Sequence, residues 1–114
     1  MKQVFDYLEL TDFVATVCDK EGIVIYQNAA SRKRKGNVIG TSLFKYHKPG
    51  SNDKIKHMLE SGENYTYSII KGGKKFFIRQ SPWYEEEGGP VMGLIELFIP
   101  VPDDYPTFDR DRHE

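Results

Sequence analysis

The sequence predicts an α+β domain built around a five-stranded antiparallel sheet, from two hairpin patterns and one closing strand that is apolar on both faces. In the first hairpin, Phe13 to Cys18 and Ile23 to Gln27 are β-branched and aromatic runs of strand length, separated by Asp19-Lys20-Glu21-Gly22. The Asp19 carboxylate can accept backbone N–H groups inside that turn, and Gly22 can take the positive φ that closes it. In the second hairpin, Tyr65 to Lys71 and Lys74 to Trp83 flank Gly72-Gly73, a two-residue loop suited to a primed turn. The closing strand, Val91 to Ile99, sets Val91, Ile95, Leu97 and Ile99 on one side and Met92, Leu94 and Phe98 on the other. Both of its faces should therefore be covered.

The remaining elements follow in chain order. Met1 to Leu10 sets Val4, Phe5 and Leu8 on one helical face, which predicts an N-terminal helix within residues 1–11. Asn28 stops the second strand where its amide can bond backbone on both sides of the turn into Ala29-Ala30-Ser31-Arg32. A short basic helical turn runs from Ala29 to Lys35, and Gly36 and Gly40 bracket Asn37-Val38-Ile39. The next helix takes Ser51 or Asn52 as its N-cap, buries Ile55, Met58 and Leu59, and ends at Gly62. Pro82 cannot donate to a ladder, which places it beyond the pairing region or at a bulge. Residues 102–114 mix Pro, Asp and Arg and read as a mobile polar tail, so the domain proper spans 12–101.

A chain of 114 residues makes one domain with its own core. Its 16 Lys and Arg nearly cancel 17 Asp and Glu, which removes the global field that would recruit nucleic acid or an anionic membrane. The run Arg32-Lys33-Arg34-Lys35 is short, has no interleaved aromatic, and reads as a solvated helix face. No apolar run approaches the roughly 20 residues of a membrane span. The single cysteine, Cys18, cannot form an internal disulfide, and the first residues lack the apolar stretch of a signal peptide. Both observations point to a reducing cytoplasm.

Taken in order, Cys18-Asp19, Glu21-Gly22-Ile23-Val24, the strand-ending Asn28 and Val38-Ile39-Gly40-Thr41-Ser42-Leu43 form a series of turns and caps. It continues through Ser61-Gly62-Glu63, Gly72-Gly73, Ser81-Pro82 with Tyr84, and Gly89-Pro90-Val91-Met92-Gly93-Leu94-Ile95. This series resembles the PAS domain over roughly residues 12 to 100, by its order and spacing rather than by any single element. The resemblance implies the strand order 2-1-5-4-3, with short helices on one face and the N-terminal helix on the other. It also implies a sensory or protein-interaction module, acting on a small ligand or in trans on a partner protein.

Candidate chemistry is sparse. Cys18 ends an internal strand, where a thiol is a packing group. His47 and His57 lack the neighbours of a metal set. Haem-binding PAS domains carry a histidine near the start of the helix that here begins Ser51-Asn52-Asp53, and the cysteine of the flavin-binding signature is missing around Asn37-Val38-Ile39-Gly40. No cofactor or metal is expected, and no acid, base and nucleophile converge, so the chain reads as non-enzymatic. A ligand cavity between helices and sheet would be lined by Leu43, Tyr46, Ile55, Leu59, Tyr67, Ile69, Ile78 and Arg79. It would suit a small apolar or carboxylate ligand, although a simpler arrangement turns Arg79 outward. Asp19, Gly22 and Asn28 are structural, and Val4, Phe5 and Leu8 with the outer sheet face form a homodimer surface. The rival readings are a dimerisation module without a ligand and, more remotely, an enzyme using the same pocket.

Overall fold

The structure, a computed structural model, describes residues 4–45 and 49–112. Five strands, β1 (Val14–Asp19), β2 (Val24–Gln27), β3 (Tyr65–Lys71), β4 (Lys74–Trp83) and β5 (Gly93–Val101), form one sheet in the order β2-β1-β5-β4-β3. Every neighbouring pair is antiparallel. Among the described residues between β2 and β3 lie helices α1 (Ala29–Lys35) and α2 (Pro49–Ser61) and a 3-10 turn (Leu43–Lys45). This is the α+β topology that the sequence predicts.

Local chemistry explains most of the elements. In the first turn one Asp19 carboxylate oxygen accepts from the Glu21 and Ile23 amides, while Gly22 sits at φ 83°. A side chain on Gly22 would also strike the Phe44 ring, so position 22 needs glycine twice over. Both Gly72 and Gly73 have positive φ, as a primed two-residue hairpin requires, and Lys71 pairs with Lys74 across it. The core is the buried set Cys18, Ile55, Met58 and Leu94, with Leu43, Phe44 and Leu59 packed against it. It presses α2 onto the face of the sheet that carries Thr16, Cys18, Ile78, Gln80, Leu94 and Glu96.

Asn28 holds one end of this layer together. It is fully buried, and its Oδ1 accepts from the amides of Ala15 and Ser31, each at 3.0 Å, which makes it the N-cap of α1. Its Nδ2 donates to the Leu8 and Phe13 carbonyls and to the Thr11 hydroxyl. One amide therefore ties β1, α1 and the N-terminal segment to each other.

Four expectations need correction. The N-terminal helix reduces, among the described residues, to one 3-10 turn, Val4–Tyr7. After it the carbonyls are committed to turn and tertiary bonds: that of Leu8 accepts from the Thr11 amide and from Asn28 Nδ2, and that of Glu9 accepts from the Ala29 amide. The turn does lie on the sheet's outer face, where Phe5 stacks on Tyr26 with ring centroids 4.4 Å apart.

Helix α2 begins at Pro49 rather than after Ser51 or Asn52, because Pro is well suited to a first helical position. Asn52 lies within it and donates to the Phe44 carbonyl. Pro82 lies inside β4, opposite Leu94; β3 pairs with β4 only as far as Gln80, so no ladder bond on that side is lost. Strand β5 starts and ends two residues later than expected, and its C-terminal half is only partly covered on the outer face: the Tyr105 ring meets Phe77 edge-on there, and Ile99 is 37% exposed.

Candidate functional site

Three connected recesses lie between the sheet and the helical layer. The most enclosed of the larger two has a volume of about 400 Å³ and is lined by Val24, Lys35, Val38, Leu43, Tyr67, Glu96 and Phe98. A second, of about 390 Å³, lies between the start of α2 and β3 and shares Tyr67 with the first. A narrow cleft joined to both by Leu43, Ile55, Gln80 and Glu96 reaches down to Cys18.

Two networks shape the first cavity. Gln27, buried at the end of β2, donates to the Ser31 hydroxyl and the Gly36 carbonyl and accepts from the Val38 amide. The Thr16 and Ser31 hydroxyls are 2.8 Å apart, so α1 and the Val38 loop are fastened to the sheet by polar groups. That fastening aims the last turn of α1 over β5. Lys35 Nζ lies 2.9 Å from Glu96 Oε1, while Gln80 Nε2 donates to Glu96 Oε2 at 2.8 Å. The Arg34 guanidinium stacks 4.7 Å from the Phe98 ring centre and 5.1 Å from that of Phe76. Such pairs hold a cation against an aromatic face.

The interior is electrically sparse but not neutral in character. Burial pushes the Tyr67 phenol up, and the Glu96 charge adds to the effect, so this hydroxyl stays protonated. Burial first, with Asp19 and Glu96 adding, pushes the Cys18 thiol up to about 11. A thiol in that state is no nucleophile at neutral pH.

The expected lining is met in part. Leu43, Ile55 and Tyr67 line the cavities. Ile78 is fully buried beside them in the packing, opposite Tyr67 and Phe98. Ile69 lies on the same face further along, opposite Phe76, and Leu59 faces a separate surface groove with Phe44. Arg79 is corrected: alternation from buried Ile78 turns it to the outer face, where it is exposed and donates to Thr66 at 2.7 Å. Tyr46, His47, His113 and the side chain of Val4 lie outside the described residues.

Lys35, Gln80, Glu96 and Phe98 did not emerge from the sequence. The signal was the alternation Leu94, Glu96, Phe98, which puts a carboxylate on the cavity side of an apolar strand. His57, by contrast, is on the exposed face of α2 and pairs with Glu63 at 2.9 Å.

No protein-family model and no curated protein sequence matches the chain. Solved structures do. The PAS domain of the histidine kinase ThkA superposes with a TM-score of 0.62 at 21% identity, covering 78% of this chain and 99% of that one. The fold is that of a PAS domain. A second PAS structure, the Aer2 receptor from Vibrio cholerae, described as a dual PAS-haem oxygen sensor, superposes at 0.59 with 18% identity over 79% of this chain and 95% of its own. Vibrio cholerae VqmA superposes at 0.66 with 15% identity; 87% of this chain matches 50% of that one, so the present chain spans about half of it. VqmA is also known bound to DPO. In this PAS fold the described cavity lining contains no histidine that could hold a haem iron.

Proposed function

We propose that the chain is a non-enzymatic sensory module that binds a small molecule in the helix-to-sheet cavity and signals in trans to a partner protein. The observation that carries this reading is the cavity itself. About 400 Å³ of mostly apolar space, furnished with one ion pair and one buried amide, has the size and make-up of a small-molecule site. ThkA and Aer2 share the fold and are by name a kinase and a receptor, which supports a signalling role. Native mass spectrometry of freshly purified protein should show a small mass increment that disappears after unfolding and refolding. The bare chain mass in both preparations counts against the ligand.

A homodimer is favoured independently by the outer face, where Ile70 is 78% and Ile99 37% exposed beside Phe77 and Val101. Apolar surface of this kind marks an interaction site when it is contiguous. A symmetric pairing would join it to the Phe5 and Leu8 surface. Changing Phe5 and Leu8 together to Asp should turn a dimer into a monomer while the β-rich circular dichroism spectrum is kept. Light scattering that finds the unaltered protein monomeric at high micromolar concentration removes the dimer.

A further inference from the structure

The cavity's charged groups limit what can enter it. Glu96 is 14% and Lys35 25% exposed at the side chain, and they are paired to each other. An anionic ligand would compete with Glu96 for Lys35, and a cationic ligand would compete with Lys35 for Glu96. Either exchange leaves one charge with weaker compensation in a place that water reaches poorly, which is strongly unfavourable. An uncharged ligand leaves the pair intact.

The cavity also holds one polar group that the described residues do not use. Among the described residues no group hydrogen-bonds the Tyr67 hydroxyl, although the residue is half-buried and lines both large recesses. A phenol that remains protonated beside a carboxylate is a ready donor. On the first-cavity side of it stand Val24, Val38, Leu43 and the Phe98 ring, where the charges lining the wall are the paired Lys35 and Glu96; Lys54 lies on the wall of the second recess.

Building on the ligand-binding reading above, we propose that the cavity selects an uncharged, mainly apolar molecule with one hydrogen-bond acceptor, taken by the Tyr67 hydroxyl, and a ring or branched chain lying against Leu43 and Phe98. Tyr67 sets the orientation, and the Lys35 and Glu96 pair excludes ions.

Four probes of nearly equal shape test this: acetophenone is uncharged with a carbonyl acceptor, ethylbenzene is uncharged without one, benzoate is an anion and benzylamine is a cation at neutral pH. Each is titrated into the intact protein while backbone amide resonances are followed by NMR. Acetophenone should shift the amides of Tyr67, Glu96 and Phe98 and bind at least tenfold more tightly than benzoate or benzylamine. Tyr67→Phe should weaken acetophenone about five- to tenfold and leave ethylbenzene unchanged, because it removes one hydrogen bond and no packing. The hydroxyl makes no hydrogen bond to any described residue, so this variant should keep the native spectrum elsewhere.

Benzoate or benzylamine binding as tightly as acetophenone overturns the ligand class while leaving a functional pocket. Unchanged acetophenone affinity in Tyr67→Phe removes Tyr67 from the site. If all four probes leave the cavity amides unmoved, the ligand-binding reading falls with the inference.

Discussion

Asn28→Ala lowers the stability of this domain by about 3 kcal/mol, because it strands the buried amides of Ala15 and Ser31 and removes the donor shared by Leu8, Thr11 and Phe13. Each buried group left without a partner costs about 1–3 kcal/mol, and the tight surroundings limit how much water can replace the amide. For a chain of this length the melting point should fall by roughly 10–20 °C. Asn28→Asp separates the two halves of the effect. It keeps the oxygen that caps α1 but turns a second oxygen toward the Leu8 and Phe13 carbonyls. It should rank with alanine rather than with the native residue. A thermal melt of either variant that overlays the native curve would show that the network is dispensable.

Gly93→Ala is expected to cost as much for a different reason. Gly93 opens β5 between Asp19 of β1 and Trp83 of β4, and the Trp83 indole N–H reaches across it to the Cys18 carbonyl at 2.9 Å. A methyl group at position 93 would run into both that carbonyl oxygen and the indole nitrogen. Overpacking of this kind costs about 1–3 kcal/mol or more, and the broken hydrogen bond adds about 1 kcal/mol. Gly50→Ala is the matched control. Position 50 is helical with open space around it, so the same methyl should be neutral or stabilise by up to about 0.5 kcal/mol. Trp83 is the only tryptophan, so its fluorescence reports the damage directly. Equal melting points for the two variants would refute the steric account.

The hairpins were legible because their cause is local. Gly72-Gly73 and the Asp19 to Gly22 turn carry their backbone requirements within four residues, and β3 and β4 begin and end where the pattern puts them. Elements decided at a distance were harder to see. Nothing within Met1 to Leu10 announces that Asn28 and Ala29 will claim the Leu8 and Glu9 carbonyls. Glu96 read as an interruption of an apolar strand because the groups that make its burial tolerable are remote in sequence. Lys35 is 61 positions away and Gln80 is 16. Arg79 is the reverse case, since simple alternation from Ile78 already turned it outward. Its place in the expected lining came from the carboxylate partner that a buried guanidinium would demand from protein or ligand, set beside the simpler outward arrangement.

Helix α1 spans only seven residues, about 10 Å, yet its two ends have separate duties. At its head, Asn28, the Ala29 amide and Arg32 clasp the N-terminal segment, Arg32 pairing with Glu9 at 2.6 Å. At its foot, Arg34 and Lys35 rest on Phe98 and Glu96 beside the cavity. Between the two ends the Ser31 hydroxyl, bonded to Thr16 and Gln27, fixes the middle of the rod to the sheet. The cavity and the N-terminal segment are thus joined through two turns of one helix, and amide exchange at Ala15 and Ala29, measured with and without acetophenone, tests whether occupancy at the foot reaches the head.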